Sequence, residues 1–214
     1  LLAEAGILPP KNIADLKRTG DLFRQKGISA KAFAMNSSLW WMMPWLFLHK
    51  AQILSADLDR CLLDSAESVA AIEYLRELYT NGSEGGAWLS GAINPDQGFL
   101  TGRYAMILSG PWNLQTFRTV PFGIALVPGL GDQRSASNIG GAGMVVFSAS
   151  KEKTESYKLL AYLVSEGAQK KWITGTGQLS VNMAANRAMA DKLSEELKMF
   201  LKQLQYAGTR PQLP

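Results

Sequence analysis

The sequence predicts an α/β fold, and three observations carry that reading. Stretches with helical apolar spacing alternate with single short apolar runs, the pattern of helices layered on a sheet. One of those runs, Tyr104-Ala105-Met106-Ile107-Leu108, is continuously apolar, as suits a strand covered on both faces. It stops at Ser109-Gly110-Pro111, where the chain must turn, because Gly-Pro cannot continue a strand. The turn presents Trp112. A large flat aromatic at the end of a core strand lies where open α/β sheets bind ligands, with plain core packing as the competing reading.

Composition narrows the class. At 214 residues the chain can bury a sizeable core, as one large domain or one and a half ordinary ones. Hydrophobic residues at 47% and charged residues at 19% are ordinary for a soluble globular protein. The net charge of +4 comes without a basic stripe; Lys170-Lys171 is the densest pair, so nucleic acid is not an expected partner. One cysteine, Cys61, excludes a disulfide within the chain. With a single histidine, His49, it also argues against a zinc site and against Ser-His-Asp or Cys-His chemistry. No metal or cofactor is expected. The first residue is Leu, and residues 1–6 lack the basic region and long apolar core of a signal peptide. The chain is therefore expected to be an excerpt whose remaining ends carry the targeting information. The most apolar run, residues 39–48, is too short to span a bilayer and contains Pro44.

In chain order, residues 1–6 read as a helix tail closed by Gly6, and Pro9-Pro10 as a linker. Residues 13–26 form an amphipathic helix with Ile13, Leu16 and Phe23 inward. Residues 31–35 are a short strand. Asn36-Ser37-Ser38 supplies capping residues. Pro44 places the next helix start near itself, with Trp40 and Trp41 ahead of it at a loop junction and Trp45 in the core. Residues 58–64 are a connector. Asp64 or Ser65 caps a helix with Val69, Ile72, Leu75 and Leu78 on one stripe, ending at Asn81-Gly82.

Residues 83–95 are a Gly/Ser-rich loop, and 96–100 a short helix leading into the central strand through a turn at Gly102. Residues 113–118 are helical, 122–127 a strand, and 130–137 a polar loop. Gly140 and Gly141 precede a strand at 144–147 and suggest close backbone approach. No Gly-Lys-Ser/Thr follows them, so they are no phosphate loop, and a nucleotide-binding regulatory domain is disfavoured. Ser150 or Thr154 caps a helix with Tyr157, Leu160, Ala161 and Val164 on one stripe. Residues 167–173 are a second short helix, 178–182 are extended, and 189–206 form one amphipathic helix closed by Gly208. Pro211 begins a tail.

Five segments in this order carry a family resemblance: Ala5-Gly6-Ile7-Leu8-Pro9-Pro10-Lys11; Trp40-Trp41 through Pro44; Asp64-Ser65 through Leu78-Tyr79; Phe99-Leu100-Thr101-Gly102-Arg103-Tyr104-Ala105-Met106 with Ser109-Gly110-Pro111-Trp112; and Ile139-Gly140-Gly141 through Trp172-Ile173-Thr174-Gly175-Thr176-Gly177. Together they resemble the extracellular solute-binding proteins of ABC importers, the family of maltose-binding protein and its relatives for other sugars and glycerol-phosphate. The resemblance implies the α/β, periplasmic-binding-protein-like type II fold: two lobes around a ligand cleft, in the periplasm or lipid-anchored on the outer face of the cytoplasmic membrane. It implies that residues 1–140 are the second lobe, 141–185 a crossover returning to the first lobe, and 186–214 a helix and tail returning to the second. A crossover of this kind has its sheet partners in the other lobe and exposes apolar surface without them.

The resemblance also implies a site. Trp112 matches the Gly-Pro-Trp position that stacks on sugar rings, and Trp40 matches the aromatic four residues before the proline, with Trp41 beside it. Gly140 and Gly141 match the crossover glycines, and Ser38, Asn113 and Asn138 are hydrogen-bond donors to the ligand. Ser38 departs from the acid that maltose binders carry near that point, which argues against maltose itself. The run Ile139-Gly140-Gly141-Ala142, with Trp172 and residues 174–177, also resembles glycerol-phosphate binders. The expected partners are thus a small sugar-like ligand and ABC permease subunits, with the protein a monomer. An enzyme using paired carboxylates is the alternative from another class; Asp57, Asp59, Glu84, Asp96 and Asp132 lie in loops, no spacing links any two of them, and loop acids are usually solvated.

Overall fold

The computed structural model describes residues 1–141 and 143–211; Ala142 and the last three tail residues lie outside the described residues. Helix α1 (Ile13–Gln25) starts where the Asn12 side chain accepts from the Asp15 amide at 2.8 Å. It buries Leu16 and Phe23 against strand β1 (Lys31–Ala34). Helix α2 (Leu39–Leu48) follows, then α3 (Ala66–Thr80), α4 (Pro95–Leu100) and strand β2 (Tyr104–Ile107). β2 lies parallel to β1 in the register Lys31↔Tyr104, Phe33↔Met106 and Ala34↔Ile107. A single turn of 3₁₀ helix (Pro111–Asn113) and α5 (Leu114–Phe117) come next.

The core forms around β1. Leu16, Phe33, Met35, Trp45, Leu48, Tyr74, Leu75, Leu78 and Ala136 pack together there, drawn from α1, β1 and the residue after it, α2, α3 and the loop that ends at Ala136. Trp45 is its largest member, 5.8 Å from the Phe33 ring and 5.6 Å from that of Tyr74. The Tyr74 hydroxyl donates to the Ile13 carbonyl at 2.9 Å, tying α3 to α1.

A second parallel pair, β3 (Ser137–Asn138) with β4 (Ala207–Gly208), lies against α2. Helices α6 (Lys153–Leu163), α7 (Glu166–Thr176), α8 (Met183–Met189) and α9 (Glu195–Leu204) complete the chain. Ile173, Ala185, Leu193 and Leu197 form a smaller core, which Leu114 joins. The Gln203 carboxamide of α9 accepts from the Val127 amide at 2.9 Å and bonds the Ser135 hydroxyl, fastening α9 to the main body.

The structure corrects several sequence expectations. α2 begins at Leu39, so Trp40 and Trp41 occupy its first turn and Pro44 lies inside it. An interior proline forfeits the bond to the carbonyl four residues back and costs about 3 kcal/mol. Burial of Met43, Trp45, Leu46 and Leu48, about 1.5–3 kcal/mol each, outweighs that. On α3, Ser65 is the cap, accepting from the Ser68 amide, but the buried face is Ser68, Ala71, Tyr74, Leu75 and Leu78. Val69 and Ile72 are exposed, because Tyr74 takes the inward place beside Trp45.

Residues 122–127 and 144–147 do not form the strands expected of them, and neither pairs with a strand among the described residues. A strand needs ladder partners for its backbone groups. Met144, Val145 and Phe147 accordingly stand exposed, as do Tyr157, Leu159, Tyr162 and Val164 of α6, so the expected stripe of α6 covers nothing here. Glu152 is the residue that caps α6; the Ser150 hydroxyl only accepts from the Glu152 amide. The single helix expected over 189–206 is broken. A 3₁₀ turn (Ala190–Lys192) and an extended Leu193 precede Ser194, whose hydroxyl caps α9 by accepting from the Leu197 amide at 3.3 Å. Serine bonds the backbone locally and starts a new helix rather than continuing the old one.

Candidate functional site

β1 and β2 are adjacent and parallel, so their carboxyl ends open at the same edge of the fold. The chain leaving β1 runs through Asn36, Ser37 and Ser38 into the first turn of α2, which carries Trp40 and Trp41. The chain leaving β2 runs through Ser109 and Gly110 into the turn that carries Trp112. Helical Cβ atoms tilt toward the N-terminus, so side chains in the first turn of α2 lean over that edge. The edge of Trp41 meets Trp112 at a centroid distance of 6.2 Å and an interplanar angle of 64°. Trp112 remains 50% exposed, which removes it from the core. Its ring folds back over Gly110: a Cβ there would lie 2.1 Å from the indole. Gly110 is thus the seat of Trp112, and the Gly-Pro pair ahead of the tryptophan was its signal in the sequence.

The second parallel pair delivers two more groups to the same helix turn. Gly140, two residues beyond β3, lies against the Trp40 ring, where a Cβ would approach to 2.2 Å. Arg210, two residues beyond β4, places its guanidinium 5.4 Å from the Trp40 ring centroid. Arg210 was not among the residues singled out from the sequence. Its only signal there was a cation next to Pro211 in an extended tail.

The remaining expected residues divide. Ser38 caps α2 through its carbonyl, which accepts from Trp41 and Met42, while its exposed hydroxyl makes no cap bond. Asn138 lies in β3, and its buried Nδ2 has no partner among the described residues. Asn113 is committed locally: Nδ2 donates to Asp96 Oδ2 at 2.9 Å and to Ser109 Oγ at 3.0 Å, bracing the turn that holds Trp112. Gly141 is exposed with open space where a side chain would go. Two contacts, Trp41 on Trp112 and Trp40 on Gly140, therefore meet at the first turn of α2, with Asn113 bracing the turn that carries Trp112 and Ser38 and Asn138 near α2.

Of the loop acids, Asp132 lies 3.6 Å from Lys50 and Asp96 holds Asn113. Asp57 and Asp59 do come together: Ser55 and Asp59 hold the Asp57 carboxyl below the usual carboxylate range, on an exposed loop. Glu84 is 2% exposed rather than solvated. Burial pushes its pKa up to about 7, against backbone amides that pull it down. Because that value is raised, the group's contribution to stability is fully present below pH 4.5 and is lost as pH rises through about 7, a swing of about 3 kcal/mol. Among the described residues no cluster of His, Cys, Asp and Glu could hold a metal, and no helix is long and apolar enough to cross a membrane.

The close approach of Gly140 to Trp40 is purely steric, since Gly140 does not adopt the left-handed backbone region. Gly140→Ala is expected to displace the Trp40 ring and weaken ligand binding several-fold. Stability should shift by less than about 0.5 kcal/mol, because the site is exposed. Calorimetric titration and thermal melting of the same variant check both halves.

An α/β fold with exposed aromatics at the carboxyl ends of its parallel strands is of the class that binds ligands at that edge. Over residues 1–200 the sequence matches the family described as bacterial extracellular solute-binding protein. The chain belongs to that family. It is 30% identical over 148 residues to a maltooligosaccharide ABC transporter solute-binding lipoprotein of Streptococcus pneumoniae, an alignment covering 67% of this chain and 34% of that protein. Among solved structures it is similar to the GacH receptor of Streptomyces glaucescens, determined unliganded and with acarbose (TM-score 0.84, 22% identity, 98% of this chain and 56% of that one). It is also similar to the sugar-binding protein MalE of Xanthomonas citri (TM-score 0.82, 24% identity, 98% and 55%). Its fold is the one these proteins share, as the sequence resemblance implied. The chain spans about a third of the length of the curated relative and just over half of each solved chain.

Proposed function

We propose that this chain is the ligand-bearing part of an ABC-importer substrate-binding protein. It captures a mono- or oligosaccharide between two lobes and presents it to the permease subunits. The observation that carries the reading is the half-exposed Trp112 braced by Trp41 beside the Trp40–Gly140 contact. Sugar rings present C–H faces that pack on flat aromatics, while their hydroxyls need donors such as Ser38 and Asn138. On this reading residues 1–140 are the second lobe, 141–185 the crossover and 186–214 the return. The exposed apolar residues of 144–147 and α6 support it, as does the fastening of α9 through Gln203. The protein works as a monomer outside the cytoplasmic membrane, in the periplasm or on a lipid anchor, and catalyses no reaction. The named relatives, a maltooligosaccharide-binding lipoprotein among them, make malto-oligosaccharides the first ligands to test.

Arg210 favours one second reading, glycerol-3-phosphate or its diesters, since a guanidinium beside Trp40 suits a phosphate oxygen. Titrating the full-length protein with malto-oligosaccharides and with glycerophosphodiesters separates the two. Saturable heat with a neutral sugar supports the first, and heat with the phosphodiester alone supports the second.

A further inference from the structure

Trp112 is half exposed, so its ring depends for its direction on the backbone beneath it. That backbone is a tight turn, closed on itself where the Asn113 amide donates to the Gly110 carbonyl at 3.1 Å. The Asn113 side chain ties the turn outward. A carboxamide nitrogen carries two N–H groups. Here one goes to Ser109 Oγ at 3.0 Å, where the turn begins, and the other to Asp96 Oδ2 at 2.9 Å, 17 residues back. Asp96 lies in the first turn of α4, where the helix dipole alone can account for an acid. Its surroundings show more. The Asp96 amide is held by the Asn94 side chain at 2.9 Å, and Pro95 between them is buried. α4 is in turn locked to β2. The Tyr104 ring fills the space beside Gly98 and Gly85, where a Cβ would lie 2.2 Å and 2.4 Å from it. The Tyr104 hydroxyl donates to the Ile93 carbonyl at 3.2 Å, and the Arg103 amide to the Gly98 carbonyl at 2.8 Å. The Asp96 carboxylate is therefore a fixed point, and a hydrogen bond to a carboxylate is stronger than one between neutral groups. Phe99 of α4 and Phe117 of α5 meet separately, with ring centroids 5.1 Å apart, so these two elements stay in contact without the Asp96 bond.

We propose that Asp96 is a positioning residue for Trp112: its carboxylate, held by α4, fixes the Asn113 carboxamide and through it the direction of the Trp112 ring against Trp41. Asn113 is the relay. With both N–H groups of Nδ2 engaged, it holds the turn and does not donate to the ligand. The consequence for binding is preorganisation. A ring already held in its stacking direction loses little freedom when a sugar lands on it, whereas a loose ring must be ordered at that moment and gives up part of the stacking energy. The inference rests on Trp112 being part of the ligand site, so its first readout uses no ligand.

The test begins with the heteronuclear NOE of the indole N–H groups in the ligand-free, full-length protein. Asp96→Ala is expected to lower the NOE of Trp112 and shift its resonance while the buried Trp45 indole keeps its own. Asp96→Asn, which keeps a carbonyl oxygen to accept from Asn113, is expected to retain the wild-type signal. A Trp112 indole unchanged in Asp96→Ala overturns the proposal, as does a loss as large in Asp96→Asn as in Asp96→Ala. Should Asp96→Ala fail to fold, Asn113→Ala removes the same bond from the other side, and an unchanged Trp112 signal there overturns the proposal equally. Maltotriose then serves as the ligand probe in a double-mutant cycle. Asp96→Ala is expected to raise its Kd about three- to tenfold in the wild-type background and less than about twofold in the Trp112→Ala background. Equal factors in the two backgrounds, or no change in either, contradict a role exercised through Trp112. If maltotriose does not bind the wild type while the Trp112 indole loosens in Asp96→Ala, the positioning role stands and the malto-oligosaccharide reading fails.

Discussion

Trp112→Ala in the full-length protein is expected to weaken sugar binding ten- to hundred-fold while leaving the fold intact. The ring is half exposed, so a stacked sugar covers on the order of 100 Å² of apolar surface, roughly 2–3 kcal/mol before ordering costs. Truncation also removes the edge contact with Trp41 and leaves Gly110 uncovered. Trp112→Phe keeps a flat ring and should retain part of the affinity. Calorimetric titration of the two variants beside the wild type measures the effect, and thermal melting shows whether the fold is kept. An affinity unchanged by Trp112→Ala removes this residue from the site.

Trp45→Ala is expected to have the opposite signature, a large loss of stability from a residue that meets no ligand. Trp45 is 1% exposed and joins Phe33 of β1 to Tyr74 of α3. Emptying such a position costs about 3–5 kcal/mol, or roughly 10 °C in Tm for a chain of this size. Its indole N–H is buried with no partner among the described residues, so Trp45→Phe discards an unsatisfied donor and should cost far less than alanine. A denaturant series on both variants, at constant ligand-free composition, reads the difference. Equal losses for alanine and phenylalanine mean that the indole N–H matters more than the packed ring.

These two tryptophans show what could be read from the chain beforehand. Trp45 belonged to the core on hydropathy alone. Trp112 could be placed by the Gly-Pro turn ahead of it, and β1, β2, α1 and α3 by their apolar runs and caps. The register of Trp40 and Trp41 was not legible, because local proline chemistry favoured a helix starting at Pro44 while tertiary burial of its neighbours extended the helix back to Leu39. The strands expected at 122–127 and 144–147 show the complementary gap: apolar alternation marks a segment as extended but does not supply the partner that makes it a strand. Arg210 escaped, and Glu84 was read only as a solvated loop acid, for a third reason. Arg210 acquires its meaning from a distant contact with Trp40 and Glu84 from its burial, and no local spacing announces either.

The most direct measurement is a calorimetric titration of the full-length protein against a panel of malto-oligosaccharides, followed in parallel by tryptophan fluorescence. A platform built from Trp40, Trp41 and Trp112 predicts saturable one-to-one binding of at least one neutral oligosaccharide, with a fluorescence change lost in Trp112→Ala. Absence of binding to every neutral sugar, or sugar binding that leaves the fluorescence of these tryptophans untouched, contradicts it.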